Sequence, residues 1–281
     1  MLLSSEPNLF LFGFGIFWII GAILQDLHRR EVDNVWNFSL IGIALAYRLA
    51  MSIFMGDYLF FLMGLFGLGA GLILGNLFYY LRLFAGGDAK LLIALSVVLP
   101  LSSHLRINLE IFGWFILLFL IGGSLYVLVW SLFLVAFNFK RFCREVKTQT
   151  RAHVSLFISS LIVVVVWVVF SFFFFKSLLL IGFIFLLFPI LFVFAKGVEE
   201  SCMVKAVAPQ NLTEGEWLYE DIFVGGKKIA ARWEGVSKRE LALIKEKYRR
   251  KILIKQGIPF TPGFLIGFLG LVALDFFGFF L

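Results

Sequence analysis

Two aspartates occupy positions where a carboxylate is costly. Asp26 closes the first long uncharged run, 7–25, and Asp88 stands just ahead of the fourth, 91–103, within Phe84-Ala85-Gly86-Gly87-Asp88-Ala89-Lys90. An ionisable group at such a depth in an apolar chain is by default a hypothesis of function. Two carboxylates that share a site cannot both ionise cheaply, so one keeps its proton while the other activates a water. That is the physical requirement for aspartyl proteolysis. The glycines before Asp88 remove two side chains, so the backbone there can turn sharply and admit a close neighbour. A plainer reading competes on equal terms: Asp88 caps the N–H groups at a helix start, and Lys90 anchors that helix at the interface.

The elements that must position these residues are apolar helices. Of the 281 residues, 61% are hydrophobic and only 15% charged, with a mean hydropathy of +0.99. Soluble domains are about 45–50% apolar and about 25% charged, so the composition is that of a polytopic membrane protein. Uncharged or nearly uncharged runs cover 7–25, 35–55 (holding Arg48, read as snorkelling), 58–81, 91–103, 111–139, 152–175, 177–195 and 262–281. They predict about eight transmembrane helices, the fourth short against the roughly 20 residues a span requires. In the third, Gly64, Gly67, Gly71 and Gly75 form a small-residue stripe suited to close helix packing. The loops with Arg29 and Arg30, with Arg82 and Lys90, with the basic cluster 140–151, and with the segment 196–255 all fall on one side. Excess Lys and Arg marks the cytoplasmic side, which places Asp26 and Asp88 at one cytoplasmic interface of the plasma membrane. Asp57 and Asp275 fall on the opposite side and serve as comparison residues.

The fold class is therefore an all-α polytopic membrane protein with a small α+β cytosolic insert before the last helix. Its expected domains are 1–196, the transmembrane helices with both Asp loops, then 197–257, the insert, and 258–281, the final helix. In the insert, Gly225-Gly226 between 217–224 and 227–233 is a hairpin signal, and Ser237-Lys238-Arg239-Glu240 fits a capping box. Other chemistries fare poorly. His28, His104 and His153 lack metal-ligand spacing, and Cys143 and Cys202 are too few for a disulfide framework. Gly122-Gly123-Ser124 only partly echoes a membrane serine-protease turn. No cofactor and no metal is expected, and no basic recognition motif suggests nucleic acid.

Asp26-Leu27-His28-Arg29-Arg30-Glu31-Val32-Asp33-Asn34 resembles the first catalytic loop of the type IV prepilin peptidases. Ala85-Gly86-Gly87-Asp88-Ala89-Lys90 is similar to their Gly-x-Gly-Asp motif with its following Lys, except that Ala85 replaces the first glycine. Gly257-Ile258-Pro259-Phe260-Thr261-Pro262 resembles the family's approach to its last helix. The likeness is closest to the archaeal branch, which includes the preflagellin peptidases. It implies a membrane aspartyl endopeptidase that removes a short basic leader from prepilin or preflagellin-like precursors at the cytosolic face. In that reading Asp26 and Asp88 form the catalytic dyad, Gly86 and Gly87 give close backbone approach, and Lys90 biases the dyad's charge or anchors the helix. The expected partners are such precursors and membrane lipid. Bacterial members carry a cytosolic loop with paired Cys-x-x-Cys motifs and an N-methylating activity, for which this chain has neither room nor cysteines. Two other classes fit the same residues: a cation- or proton-coupled transporter using Asp26 and Asp88, and a non-catalytic assembly protein of the pilus or flagellum. The sequence leaves the oligomeric state open.

Overall fold

The computed structural model describes residues 3, 5–174, 179 and 181–280. It is mostly helical, and the chain divides into two compact units, Met1–Val129 with Ile258–Leu281, and Trp130–Gly257. Among the described residues, five helices are long and apolar enough to cross a membrane: α1 (Glu6–Arg29), α2 (Asn34–Met55), α3 (Leu59–Tyr80), α5 (Leu105–Phe137) and α7 (Val154–Phe174). The fourth expected span is α4 (Gly86–Ser96), only 11 residues. At 1.5 Å per residue it covers about 16 Å, roughly half of an apolar layer about 30 Å thick. The last, α10 (Pro262–Phe276), is apolar but has 15 residues. Lys176, expected between the sixth and seventh spans, lies outside the described residues.

In the first unit α4 is the centre. Leu91, Leu92, Leu95, Val97, Val98 and Leu99 are each no more than 1% exposed, so this segment is enclosed on every side. The reason α4 can sit so deep lies in α3. A Cβ at Gly67, Gly71 or Gly75 would run into Ser96, Pro100, Ile93 or the Ala89 carbonyl. The glycine stripe is thus a seat for α4, and a side chain there would push α4 away. On the other flank, Trp18 of α1 and Trp36 of α2 stack with ring centroids 4.4 Å apart. Each indole N–H donates to the other residue's carbonyl, at 2.7 and 3.0 Å. That satisfies two buried polar groups while joining the helices that flank the 30–33 loop.

Beyond Ser96 the chain is irregular until α5 starts at Leu105. Irregular backbone amid apolar surroundings needs hydrogen-bond partners, since no water is there to supply them. Three side chains do so. Arg48 was expected to snorkel outward, but it is fully buried. Its guanidinium donates to the carbonyls of Val97 (2.9 Å), Val98 (3.2 Å), Pro100 (2.6 Å) and Phe60 (3.0 Å). It also lies 4.7 Å from the Phe60 ring centroid. Gly64 of the stripe leaves the space its stem occupies. Asn108 accepts from the N–H groups of Leu101 and Ser102 and returns a bond to the Ser102 carbonyl, while Asn8 donates to the Leu101 carbonyl at 2.7 Å.

The second unit holds the end of α5, then α6 (Phe139–Ala152), α7, α8 (Ile181–Cys202) and a small sheet. The basic cluster 140–151, read from sequence as a loop, is the helix α6. Its Lys140, Arg141, Arg144, Lys147 and Arg151 are exposed, while Phe142 and Val146 lie against Gly197 of α8. Strands β1 (Val204–Val207), β5 (Ile252–Lys255) and β2 (Trp217–Leu218) pair antiparallel in the order β1-β5-β2. The expected hairpin is present as β3 (Ile222–Val224) and β4 (Lys227–Ile229). Gly225 and Gly226 have φ of 56° and 79°, the positive pair that a two-residue hairpin turn requires. Ser237 and Glu240 form the expected capping box at the start of α9 (Lys238–Lys247). Leu218, Ile222, Val224, Ile229, Ile244, Ile252 and Ile254 make the core beneath.

Glu199 of α8 ties helix to sheet by pairing with Lys196 at 2.7 Å and Lys255 at 2.5 Å. Burial alone would raise its carboxyl, but the two ammonium groups outweigh this and hold it below the ordinary range. A lowered carboxylate contributes stability that is present above its unfolded pKa and is lost as pH falls through the folded value. Glu199→Gln should therefore remove part of the unit's acid sensitivity and cost at most about 1 kcal/mol near neutrality, read by melting at neutral and acid pH. Arg48 predicts a larger effect. Arg48→Leu leaves carbonyls without donors, at about 1–3 kcal/mol for each unsatisfied buried group. We expect it to melt far below the parent in detergent, with Arg48→Lys, which keeps the charge but reaches fewer carbonyls, in between.

Candidate active site

Asp26 lies in the last turn of α1 and is 8% exposed. Taken with α1 alone its position is unfavourable, because a helix C-terminus carries partial negative charge. Relief comes from the far end of the chain. The Thr261 hydroxyl donates to Asp26 Oδ2 at 2.9 Å, and the Thr261 N–H approaches the same oxygen at 3.4 Å. Thr261 is the N-cap of α10, so the carboxylate sits at the end of that helix that carries partial positive charge.

Asp88 is the third residue of α4, and the Ala85 N–H donates to its carboxylate. It too stands at a helix N-terminus. It is half-buried, and the charge of Asp26 reaches it electrostatically. The end of α1 and the starts of α4 and α10 thus bring both aspartates to one end of the first unit.

The glycines beside Asp88 make no sharp turn. Neither Gly86 nor Gly87 has positive φ, and both are already helical. The left-handed residue is Arg82, with φ of 58°. Ala85, at φ −67° and ψ 161°, is extended backbone open to any residue, so the absent first glycine of the motif has no conformational consequence here. A Cβ on Gly86 would come no closer than 3.9 Å to Tyr79, and one on Gly87 would lie 3.8 Å from the Val32 backbone. These are ordinary contacts, and the glycines leave room on the face of α4 beside Asp88.

Lys90 donates to Asn34 Oδ1 at 2.7 Å, joining the first turn of α4 to that of α2. Four residues before Asp88, Phe84 is 3% exposed and packs on Phe78, Phe119 and Phe260, with ring centroids at 4.8, 5.5 and 6.1 Å. This aromatic floor fixes the segment that leads into α4. The comparison aspartates have work of their own. Asp57 accepts from the Leu59 N–H at the start of α3 at 2.9 Å. Asp275 is 3% exposed and accepts from the Leu3 N–H at 3.0 Å, so it is a buried structural acceptor and a poor control. Among the described residues, no three His, Cys, Asp or Glu side chains converge as a metal site. Thr261 is the site residue that sequence reasoning missed. It lies inside the Phe260-Thr261-Pro262 stretch already singled out, but nothing local says that its hydroxyl meets a residue 235 positions away.

Comparison with known proteins adds one finding. Residues 13–139 match the model of a family described as the type IV leader peptidase family. No curated protein and no solved structure matches. The matched stretch, a little under half of the chain, contains Asp26, Asp88 and the whole of α2 to α4, and over it the chain is similar to the type IV leader peptidase family.

Proposed function

We propose that this protein is a leader peptidase, a membrane aspartyl endopeptidase in which Asp26 and Asp88 share the chemistry. Its substrate would be a prepilin or preflagellin-like precursor with a short basic leader before an apolar helix. The observation that supports the reading is that the charge of Asp26, held against the start of α10, reaches Asp88 at the start of α4. One carboxylate takes a proton from water as its oxygen adds to the scissile carbonyl carbon. The other, protonated, gives its proton to the carbonyl oxygen. Collapse of the tetrahedral diol breaks the C–N bond, with a proton passing to the departing amine. The products are the leader's new carboxylate and the mature protein's new N-terminus. The pair works as a unit, so neither aspartate is assigned separately as the base. The room beside Gly86 and Gly87 suits an extended backbone approaching Asp88.

The distribution of basic residues puts this chemistry at the cytoplasmic face of the plasma membrane.

Co-expression with a precursor bearing a lysine-rich leader, read by a gel shift on leader removal, tests the assignment. Asp26→Asn and Asp88→Asn should each lower cleavage by about 10²–10⁴-fold, the usual loss when an acid–base group is removed. Asp→Glu at either position should lose about 10²-fold, because the oxygen moves by about an ångström. Asp57→Asn keeps an acceptor for the Leu59 N–H and should leave cleavage unchanged. Full cleavage by a folded Asn variant of Asp26 or Asp88 would rule the dyad out. Topology has its own test: Cys143 and Cys202 should resist a membrane-impermeant thiol reagent in intact cells and react once the membrane is opened. Labelling from outside would reverse the orientation.

A further inference from the structure

The last helix lies outside the stretch that matches the family, yet it contributes the closest hydrogen bond to Asp26. Thr261 is 1% exposed. Its hydroxyl is 2.9 Å from Asp26 Oδ2, with the backbone N–H on the same oxygen. A carboxylate offers lone pairs on two oxygens, and Thr261 engages one of them. The Thr261 side chain is in turn held firmly. It is β-branched, which limits χ1. Phe260 before it packs on Phe84 and on Phe119, at 6.1 and 5.3 Å between centroids. Pro262 after it has a fixed φ and no N–H to compete for the carboxylate.

Resting on the aspartyl-peptidase reading above, we infer that Thr261 is a positioning residue: its hydroxyl fixes the Asp26 carboxylate through Oδ2 and leaves Oδ1 for the reacting water. The start of α10 thereby sets the geometry of a site whose two carboxylates come from α1 and α4. A hydroxyl that only filled space would be replaceable by a methyl group. One that orients a reacting carboxylate would not, because small misplacements near a reacting atom are expensive in rate.

The test is steady-state cleavage of the lysine-leader precursor by purified, lipid-reconstituted full-length protein. Thr261→Val keeps the shape and removes the donor. It should lower kcat by about ten- to a hundredfold with KM within about twofold of the parent, the signature of an interaction needed in the transition state and not for binding. Thr261→Ser keeps the donor and should retain kcat to within about threefold. If Thr261→Val does not accumulate, Thr261→Ala against Thr261→Ser, which differ only in the hydroxyl, gives the same comparison. Unchanged kcat without the hydroxyl would overturn the inference, and so would equal losses with and without it. Asp26→Asn and Asp88→Asn run alongside separate the two claims. If they abolish cleavage while Thr261→Val leaves kcat unchanged, the dyad stands and the role of Thr261 falls. If the parent fails to cleave, or Asp26→Asn cleaves fully, the peptidase reading falls and takes this inference with it.

Discussion

A buried guanidinium holding four carbonyls is the interaction on which the first unit depends. The helix α4 ends after 11 residues, far short of a span, and the segment beyond it stays inside the apolar interior. The carbonyls just past its last turn need donors, and the C-terminal end of a helix carries partial negative charge. Arg48 answers both needs, with donors on Val97, Val98 and Pro100 and a positive charge at the negative end. The fourth bond, to Phe60, ties the same cation to the first turn of α3. Lysine could not do this, because it lacks the planar fork of donors. With Asn108 and Asn8 holding Leu101 and Ser102, a non-helical stretch becomes tolerable where it would otherwise be forbidden.

What that arrangement allows is a helix N-terminus at a chosen place. A continuous span from Tyr58 onward would place Asp88 wherever the length of α3 and its loop dictated. A short α4, fixed at its far end by Arg48 and seated on the glycines of α3, has its start set by packing. Phe84 on its aromatic neighbours and Lys90 on Asn34 complete the placement from the other side. Asp26 meets the complementary need. The turn of α1 that carries it repels negative charge, and the start of α10 supplies the donors that α1 cannot. Both aspartates therefore rest against helix N-termini, one within its own helix and one across the fold.

The sequence was most legible where the cause is local. Gly225-Gly226 and the Ser237–Glu240 box lie within a few residues of the backbone they shape, and both occur as read. Asp26 and Asp88 were visible because a charge beside an apolar run is conspicuous whatever surrounds it. Arg48 was read as snorkelling because its partners lie about fifty residues away, on a stretch whose irregularity the apolar pattern conceals. Residues 97–101 are as apolar as a span, so composition cannot reveal that the helix has stopped. Helix α6 was missed for the opposite reason: its charges suggested a loop, while Phe142 and Val146, four apart, keep a narrow apolar seam at helical spacing. The strands β1 and β5 exist through pairing across some fifty residues, which no local signal predicts.

The likeness to the type IV leader peptidase family rests on residues 13–139, and that stretch is not self-sufficient in this fold. Asp26 would end α1 as a buried carboxylate beside a helix C-terminus, and burying a charge without a donor is costly. The donor comes from α10, which follows the whole of the second unit, 130–257, in the sequence. Phe260 and Phe264 also complete the aromatic floor around Phe84 and Phe119. The site can therefore be finished only when the last helix docks. A chain cut before Pro259 would retain both aspartates and the motifs around them, yet lack the hydroxyl on Asp26 and the Phe260 and Phe264 rings against Phe84. The two carboxylates define where the chemistry could occur, but the first unit closes around them only through its C-terminal helix.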